Sequence, residues 1–191
     1  MKKLATLFRD SYLEFKKVST ITTASMFAAV AVVLGSMTIE IGNYIKIGFS
    51  SIANQFVYYL FGPVVGGCFG GALDILKYMV KPTGEFFPGW TLSAILAGVI
   101  YGVFFYKKRL SFWRILAAEL TVSVVCNMVL GTLWLSMMYG KAFMVLLPAR
   151  VIKNLIMSPV NAAVFYTLVW SLERTGIFRV IRKSHNTGHF T

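Results

Sequence analysis

Hydrophobic positions in this chain fall in long blocks separated by short polar segments, not in the alternating or narrow-stripe patterns of a soluble fold. A helix that crosses a bilayer needs about 20 predominantly apolar residues. Four blocks meet or approach that length, at 18–37, 90–106, 115–138 and 151–170. Between the first two lie shorter runs, 47–61 and 64–80, joined by Gly62-Pro63, a turn and helix-breaking pair. At about 1.5 Å per residue the 47–61 run reaches only about 22 Å. It must borrow flanking residues, tilt, or dip in and return. The pattern predicts an all-α, polytopic membrane protein with six transmembrane helices. Four spans plus a re-entrant hairpin is the alternative, and it leaves the sidedness of the rest unchanged.

The expected organisation is a basic cytosolic or interfacial segment at 1–17, a six-helix domain at 18–172 and a basic cytosolic tail at 173–191. The apolar stretch at 4–8 is too short for a signal peptide, and Arg9, Asp10, Glu14, Lys16 and Lys17 interrupt before any span begins. Leu4, Leu7, Phe8, Tyr12 and Phe15 suit an amphipathic helix lying in the interface.

Composition agrees with lipid as the solvent. The 191 residues are 57% hydrophobic and 14% charged, with a mean hydropathy of +0.70; a soluble domain carries about a quarter charged residues. The net charge of +12 sits in blocks between apolar runs, which argues for membrane orientation and against nucleic acid as a partner. With the N-terminus inside, cytosolic segments hold thirteen of the nineteen Lys and Arg residues, whereas the opposite loops hold Lys46, Lys81 and Lys141. Both termini are therefore expected in the cytoplasm. Cys68 and Cys126 lie within apolar runs, away from any ligand-like spacing, and read as small buried hydrophobes. The tail histidines His185 and His189 have no neighbouring carboxylate or thiol and read as a disordered end, so no metal is expected.

Four ionisable residues remain at membrane depth: Asp74, Lys77, Arg150 and Lys153. Each costs about 2.5 to 3.5 kcal/mol at a helix centre, so such groups normally face a cavity or a partner. Each pair has i, i+3 spacing and shares a helix face. The plainer readings are an intrahelical ion pair for Asp74 with Lys77, and snorkelling for Arg150 and Lys153 at the start of the last span. The cluster carries about two uncompensated positive charges, which a dianionic organic ligand would neutralise. By topology its mouth opens outward.

That mouth has its own composition. Residues 81–90 combine two prolines, two glycines and the aromatics Phe86, Phe87 and Trp90, which suit a structured cap; an interfacial aromatic belt is the plainer reading. Trp134 and Tyr139 add stacking surface, and Asn127 and Asn154 offer amides either to a heterocycle edge or to helix–helix contact. Small-residue stripes at Ala24, Ala28, Ala31 and Gly35, at Gly66, Gly67, Gly70 and Gly71, and at Ala94, Gly98 and Gly102 allow close helix approach. One of them, Ala24 with Ala28, is the candidate docking face for a partner.

No nucleotide-binding glycine loop is present, the only histidines lie in the tail, and Asp74 stands as the one deep carboxylate. An enzyme is not expected. A binder that draws its energy from another subunit fits better, and no cofactor is called for.

The run Gly70-Gly71-Ala72-Leu73-Asp74, the stretch Pro82 through Ser93 with its Pro88-Gly89-Trp90-Thr91-Leu92-Ser93 core, Gly98, and Tyr101-Gly102 resemble the folate-specific substrate-binding (S) component of bacterial energy-coupling factor transporters. Leu133-Trp134-Leu135, Tyr139-Gly140, Arg150 to Lys153, and Pro159 resemble its fifth and sixth helices, and Ala24 to Ala28 its AxxxA motif. The resemblance implies a multi-pass subunit of the bacterial cytoplasmic membrane that captures folate or a related pterin from outside. It implies docking on a transmembrane coupling (T) protein driven by two cytosolic ATPases. It would place Arg150 and Lys153 on the ligand's anionic groups and the Phe86 to Trp90 cap over the ligand, with Asp74 free to accept from the pterin's N–H groups. The alternatives are an S component for another vitamin or heterocycle, and a non-transport membrane assembly protein.

Overall fold

The computed structural model describes residues 2–36, 39–41, 45–47, 50–81, 86–108, 110–139 and 143–174; side chains are described for these except at 2–3, 36, 39–41, 45–47, 139, 143–150, 152–153 and 172–173. The tail histidines and residues 82–85 of the cap lie outside the described residues.

An N-terminal helix α1 (Lys2–Phe15) precedes α2 (Val18–Ser36). A hairpin of two three-residue strands follows, β1 (Ile39–Ile41) with β2 (Ile45–Ile47), antiparallel and in a register that pairs Glu40 with Lys46. The alternation Ile-Glu-Ile and Ile-Lys-Ile has the period of a strand, which is why Ile47 belongs to the hairpin and the next helix starts at Ser50. Helix α3 (Ser50–Val80) comes next, then α4 (Pro88–Phe105), α5 (Phe112–Val122), a π-helical segment (Ser123–Leu130), α6 (Gly131–Tyr139) and α7 (Phe143–Arg174). Apart from the hairpin, the fold is a helical bundle.

Helix α3 is two spans in one. At Gly62 the backbone turns to φ 84°, ψ −167°, a left-handed conformation suited to glycine, and Pro63 follows without an N–H. The chain doubles back there. A Cβ at Gly62 would sit 2.9 Å from the Tyr106 ring and 3.0 Å from Ser11 Cβ, which fixes this turn at the end that carries α1. At the other end, a Cβ at Gly35 of α2 would lie 3.6 Å from Lys77 and 3.7 Å from Ser50. The two halves of α3 thus run in opposite directions between the same two ends. With α2, α4, the α5–α6 unit and α7 they complete six membrane-crossing helices. By the positive-inside rule the α1 end is cytosolic.

The small-residue stripes of α3 and α4 face one another. A Cβ on Gly98 would run into the Gly66 carbonyl, one on Gly66 would lie 2.9 Å from the Gly98 carbonyl, and one on Gly70 would lie 2.6 Å from the Ala94 carbonyl. Lipid tails are as apolar as leucine, so helix association in a bilayer rests on such van der Waals contact and on hydrogen bonds. The core beside this seam is aromatic: Phe165 of α7 packs on Phe56 and Phe105 at 5.2 and 5.6 Å, and Tyr58 stacks on Tyr101 at 5.7 Å. The glycines occupy the inward face of this half of α3, which leaves Cys68 exposed, contrary to the expectation that both cysteines are buried; Cys126 is buried.

Helix α1 is tied to the bundle by Ser11, which is fully buried. Its Oγ donates to the Phe61 carbonyl at 2.7 Å and accepts from the Val64 N–H at 3.0 Å, so it bridges the broken backbone of α3. Leu4, Phe8, Tyr12 and Phe15 stay exposed on the far face. A second tie runs from Lys107, which donates to Asp10 at 2.6 Å and holds that carboxyl below its usual range.

Two outcomes are expected. Ser11→Ala leaves a buried carbonyl and N–H without that partner and should cost about 1–3 kcal/mol, read as a lower unfolding midpoint in detergent; an unchanged midpoint removes Ser11 from this role. Because the folded Asp10 titrates below its unfolded value, its tie is complete above about pH 4 and is lost as pH falls through the folded value. A nitroxide label at Phe8 should gain mobility over that acid range, and Lys107→Met should show the mobile spectrum at neutral pH as well.

Candidate functional site

The outer ends of α3 and α4 flank a cleft of about 370 Å³, lined by Asp74, Lys77 and Tyr78 of α3, by Lys81 just past its end, by Phe86 and Phe87 just before α4, and by Trp90 in its first turn. That volume lies within the range of small-molecule sites. The side chains converge because the glycine seam holds the two helices at backbone contact along its length, leaving larger residues to spread the ends. Five residues singled out in the sequence, Asp74, Lys77, Phe86, Phe87 and Trp90, share this lining.

The polar wall is ordered by a contact across helices. Thr91 Oγ1 donates to Asp74 Oδ2 at 2.8 Å. Ion-pair contacts among the described residues join Glu14 to Lys17 and Asp10 to Lys107, whereas Asp74 acts on Lys77 by charge attraction and spends its Oδ2 contact on Thr91. The aromatic wall is ordered in the same way. Trp134 of α6 donates through Nε1 to Ser93 Oγ at 2.9 Å and packs on Phe87 with ring centroids 5.5 Å apart; Phe86 packs on Tyr78 at 5.1 Å. Gly89 lies beneath the first pair: a Cβ there would run into Phe87 and come within 2.7 Å of Trp134.

Other candidates are placed elsewhere. Asn127 of the π-helical segment and Asn154 of α7 meet each other, Nδ2 of the first donating to Oδ1 of the second at 3.5 Å, outside the cleft lining. Arg150 and Lys153 are the eighth and eleventh residues of α7, about 10 and 15 Å along its axis; the Arg150 and Lys153 side chains lie outside the described residues. Ala24 and Ala28 are half-buried against the core, while Ser25, Met26 and Ala29 beside them are exposed.

Three features were missed in the sequence. Tyr78 lies four residues from Asp74 and so shares its helix face. Thr91 and Ser93 stand inside the recognised Pro88–Ser93 stretch, where their hydroxyls act as anchors. Asp74 is not the one deep carboxylate: Glu119 of α5 is 6% exposed, accepts from Gln55 Nε2 at 2.5 Å and is hydrogen-bonded to Tyr101. Its signal was a glutamate inside the apolar block 115–138.

Residues 19–169 match the family described as "ECF transporter, substrate-specific component". The chain belongs to this family. Among curated relatives, the folate transporter FolT of Clostridium novyi is 40% identical over 139 residues, 73% of this chain and 81% of its own. FolT of Leuconostoc mesenteroides is 30% identical over 151 residues, 76% of this chain and 81% of its own. A crystal structure of FolT bound with folic acid is 34% identical and superposes with a TM-score of 0.71 over 80% of this chain and 93% of that one. The family fold is a helical membrane bundle, and this chain is a multi-pass transporter component.

Gly89→Ala is expected to push Phe87 and Trp134 apart and to red-shift tryptophan emission while leaving helical circular dichroism unchanged. Emission identical to wild type counts against the packed aromatic wall.

Proposed function

We propose that this chain is the high-affinity folate-binding subunit of an ATP-driven vitamin importer in the bacterial cytoplasmic membrane, open to its substrate on the outer side. The observation that carries the reading is the outer cleft, where a carboxylate, two ammonium groups and four aromatic side chains line one volume. Folate has matching parts: a planar pterin with N–H donors, a benzoyl ring and a glutamate with two carboxylates. Asp74 accepts from the pterin edge, Phe87, Trp90 and Trp134 cover the rings, and Lys77, with Arg150 and Lys153 of α7, neutralises the carboxylates. Lys81 adds a cation at the rim. The relatives named folate transporters, and the relative bound with folic acid, support the same substrate.

Binding alone moves nothing across a membrane, and no nucleotide-binding loop is present in the chain. We place ATP hydrolysis in two cytosolic partner subunits and the docking surface for the T protein on α2, along Ala24 and Ala28 and the exposed Ser25, Met26 and Ala29 beside them. Helix α2 is the least buried of the four long apolar helices, which leaves it open to a partner in the bilayer.

Tryptophan fluorescence of the purified protein should change saturably with folic acid, and Arg150→Ala should weaken that response by about tenfold or more, the effect of losing a charged hydrogen-bond partner. Absence of a saturable response at micromolar folic acid rejects the substrate. Replacing Ala24 or Ala28 with Trp should abolish uptake and leave folic acid binding intact; loss of both assigns the stripe to internal packing.

A further inference from the structure

Hydroxyl groups in these helices are used in two ways. Thr22, Ser25, Thr121 and Thr167 each donate to the carbonyl four residues earlier in their own helix, at 3.0, 2.9, 2.7 and 2.8 Å. Such back-bonding satisfies a hydroxyl that faces lipid without touching anything else. Thr91 departs from it, spending its proton sideways on Asp74 of the neighbouring helix.

The backbone geometry explains why it can. Where α3 passes α4, a Cβ at Gly71 would lie 2.8 Å from Ile95 and 3.8 Å from the Thr91 methyl carbon. The seam therefore fixes the register of the two helices and seats the methyl against Gly71. A β-branched side chain has few χ1 choices, so seating the methyl on one side directs the hydroxyl to the other, where Asp74 stands. An ionised carboxylate only accepts hydrogen bonds. With Oδ2 held by Thr91, rotation of the carboxylate is stopped, and its remaining lone pairs present a fixed acceptor fork to the cleft.

We propose that Thr91 is a positioning residue that sets ligand selectivity: by locking Asp74 it makes the cleft select heterocycles with a donor–donor edge, an amino group beside a ring N–H, over analogues lacking the amino group. The proposal rests on the folate reading above and names the edge that is read. A Thr91 whose role is only to pack α4 on α3 would affect all ligands alike.

The test titrates the purified full-length protein and its Thr91→Val, Thr91→Ala and Thr91→Ser variants with folic acid and with 2-desaminofolic acid. Thr91→Val and Thr91→Ala, which remove the hydroxyl with and without the bulk, should weaken folic acid by about tenfold or more, the worth of a hydrogen bond to a charged group, but the desamino analogue by less than about threefold. Thr91→Ser keeps the hydroxyl but loses the methyl that directs it, and should weaken folic acid by less than either hydroxyl-free variant; weakening as large as in Thr91→Val overturns the role given to the hydroxyl. Equal weakening of both ligands, or wild-type affinity in both hydroxyl-free variants, overturns the proposal while the folate reading stands. A wild-type protein that fails to bind folic acid overturns both.

Discussion

Backbone polar groups inside a bilayer have no water to turn to, and this fold meets that constraint at one place above all, the broken helix at Gly62-Pro63. The break removes a donor at Pro63 and frees groups on both sides of it. Ser11, reaching in from a helix outside the spans, serves as donor to one side and acceptor from the other. That single hydroxyl lets a chain segment too short for two independent spans behave as a tight pair. Everything at the outer end follows, because the reversal returns the second half of α3 to the side on which Asp74 and Lys77 stand.

The seam between α3 and α4 then converts a topology into a site. Glycine and alanine along most of its length bring backbones into contact, and the site begins where those residues give way to Asp74, Lys77, Thr91 and the aromatic cap. Close packing below and side-chain divergence above are two parts of one arrangement. Ser93 and Thr91, on the first turns of α4, show how it is used: one anchors an indole, the other a carboxylate, each on a different neighbouring helix.

Much of this was legible in the sequence. Block lengths located most of the spans to within a few residues, although the last helix starts at Phe143, eight residues before its block; Gly62-Pro63 marked the reversal, and charge plus aromatic content picked five residues of the cleft lining. What was not legible depended on contacts between distant segments. Nothing local distinguishes Thr91 from Thr121, yet one bonds a neighbouring helix and the other its own carbonyl. Ser11 looked like an ordinary position in a surface helix, and its role exists only because another segment breaks beside it. Asn127 and Asn154 had the right chemistry for a ligand, but a choice between ligand and helix contact requires knowing which two helices are adjacent. The strand hairpin was hidden for a different reason: its two three-residue runs lie almost wholly in the gap between the blocks at 18–37 and 47–61 and are too short to show an alternating period.

The π-helical segment at Ser123–Leu130 sits midway along the fifth span, between the helix that carries Glu119 and the helix that carries Trp134. Its wider turn holds residues beyond an α-helical count, so it resets the angular phase of everything after it. Removing one residue there would rotate α6 by about 100° about its own axis, turning the Trp134 indole off Ser93 although composition and hydrophobic length would scarcely change. The residue count of this span is therefore governed by phase as well as by the thickness of the bilayer, and a length change harmless elsewhere in the chain would here dismantle one wall of the cleft.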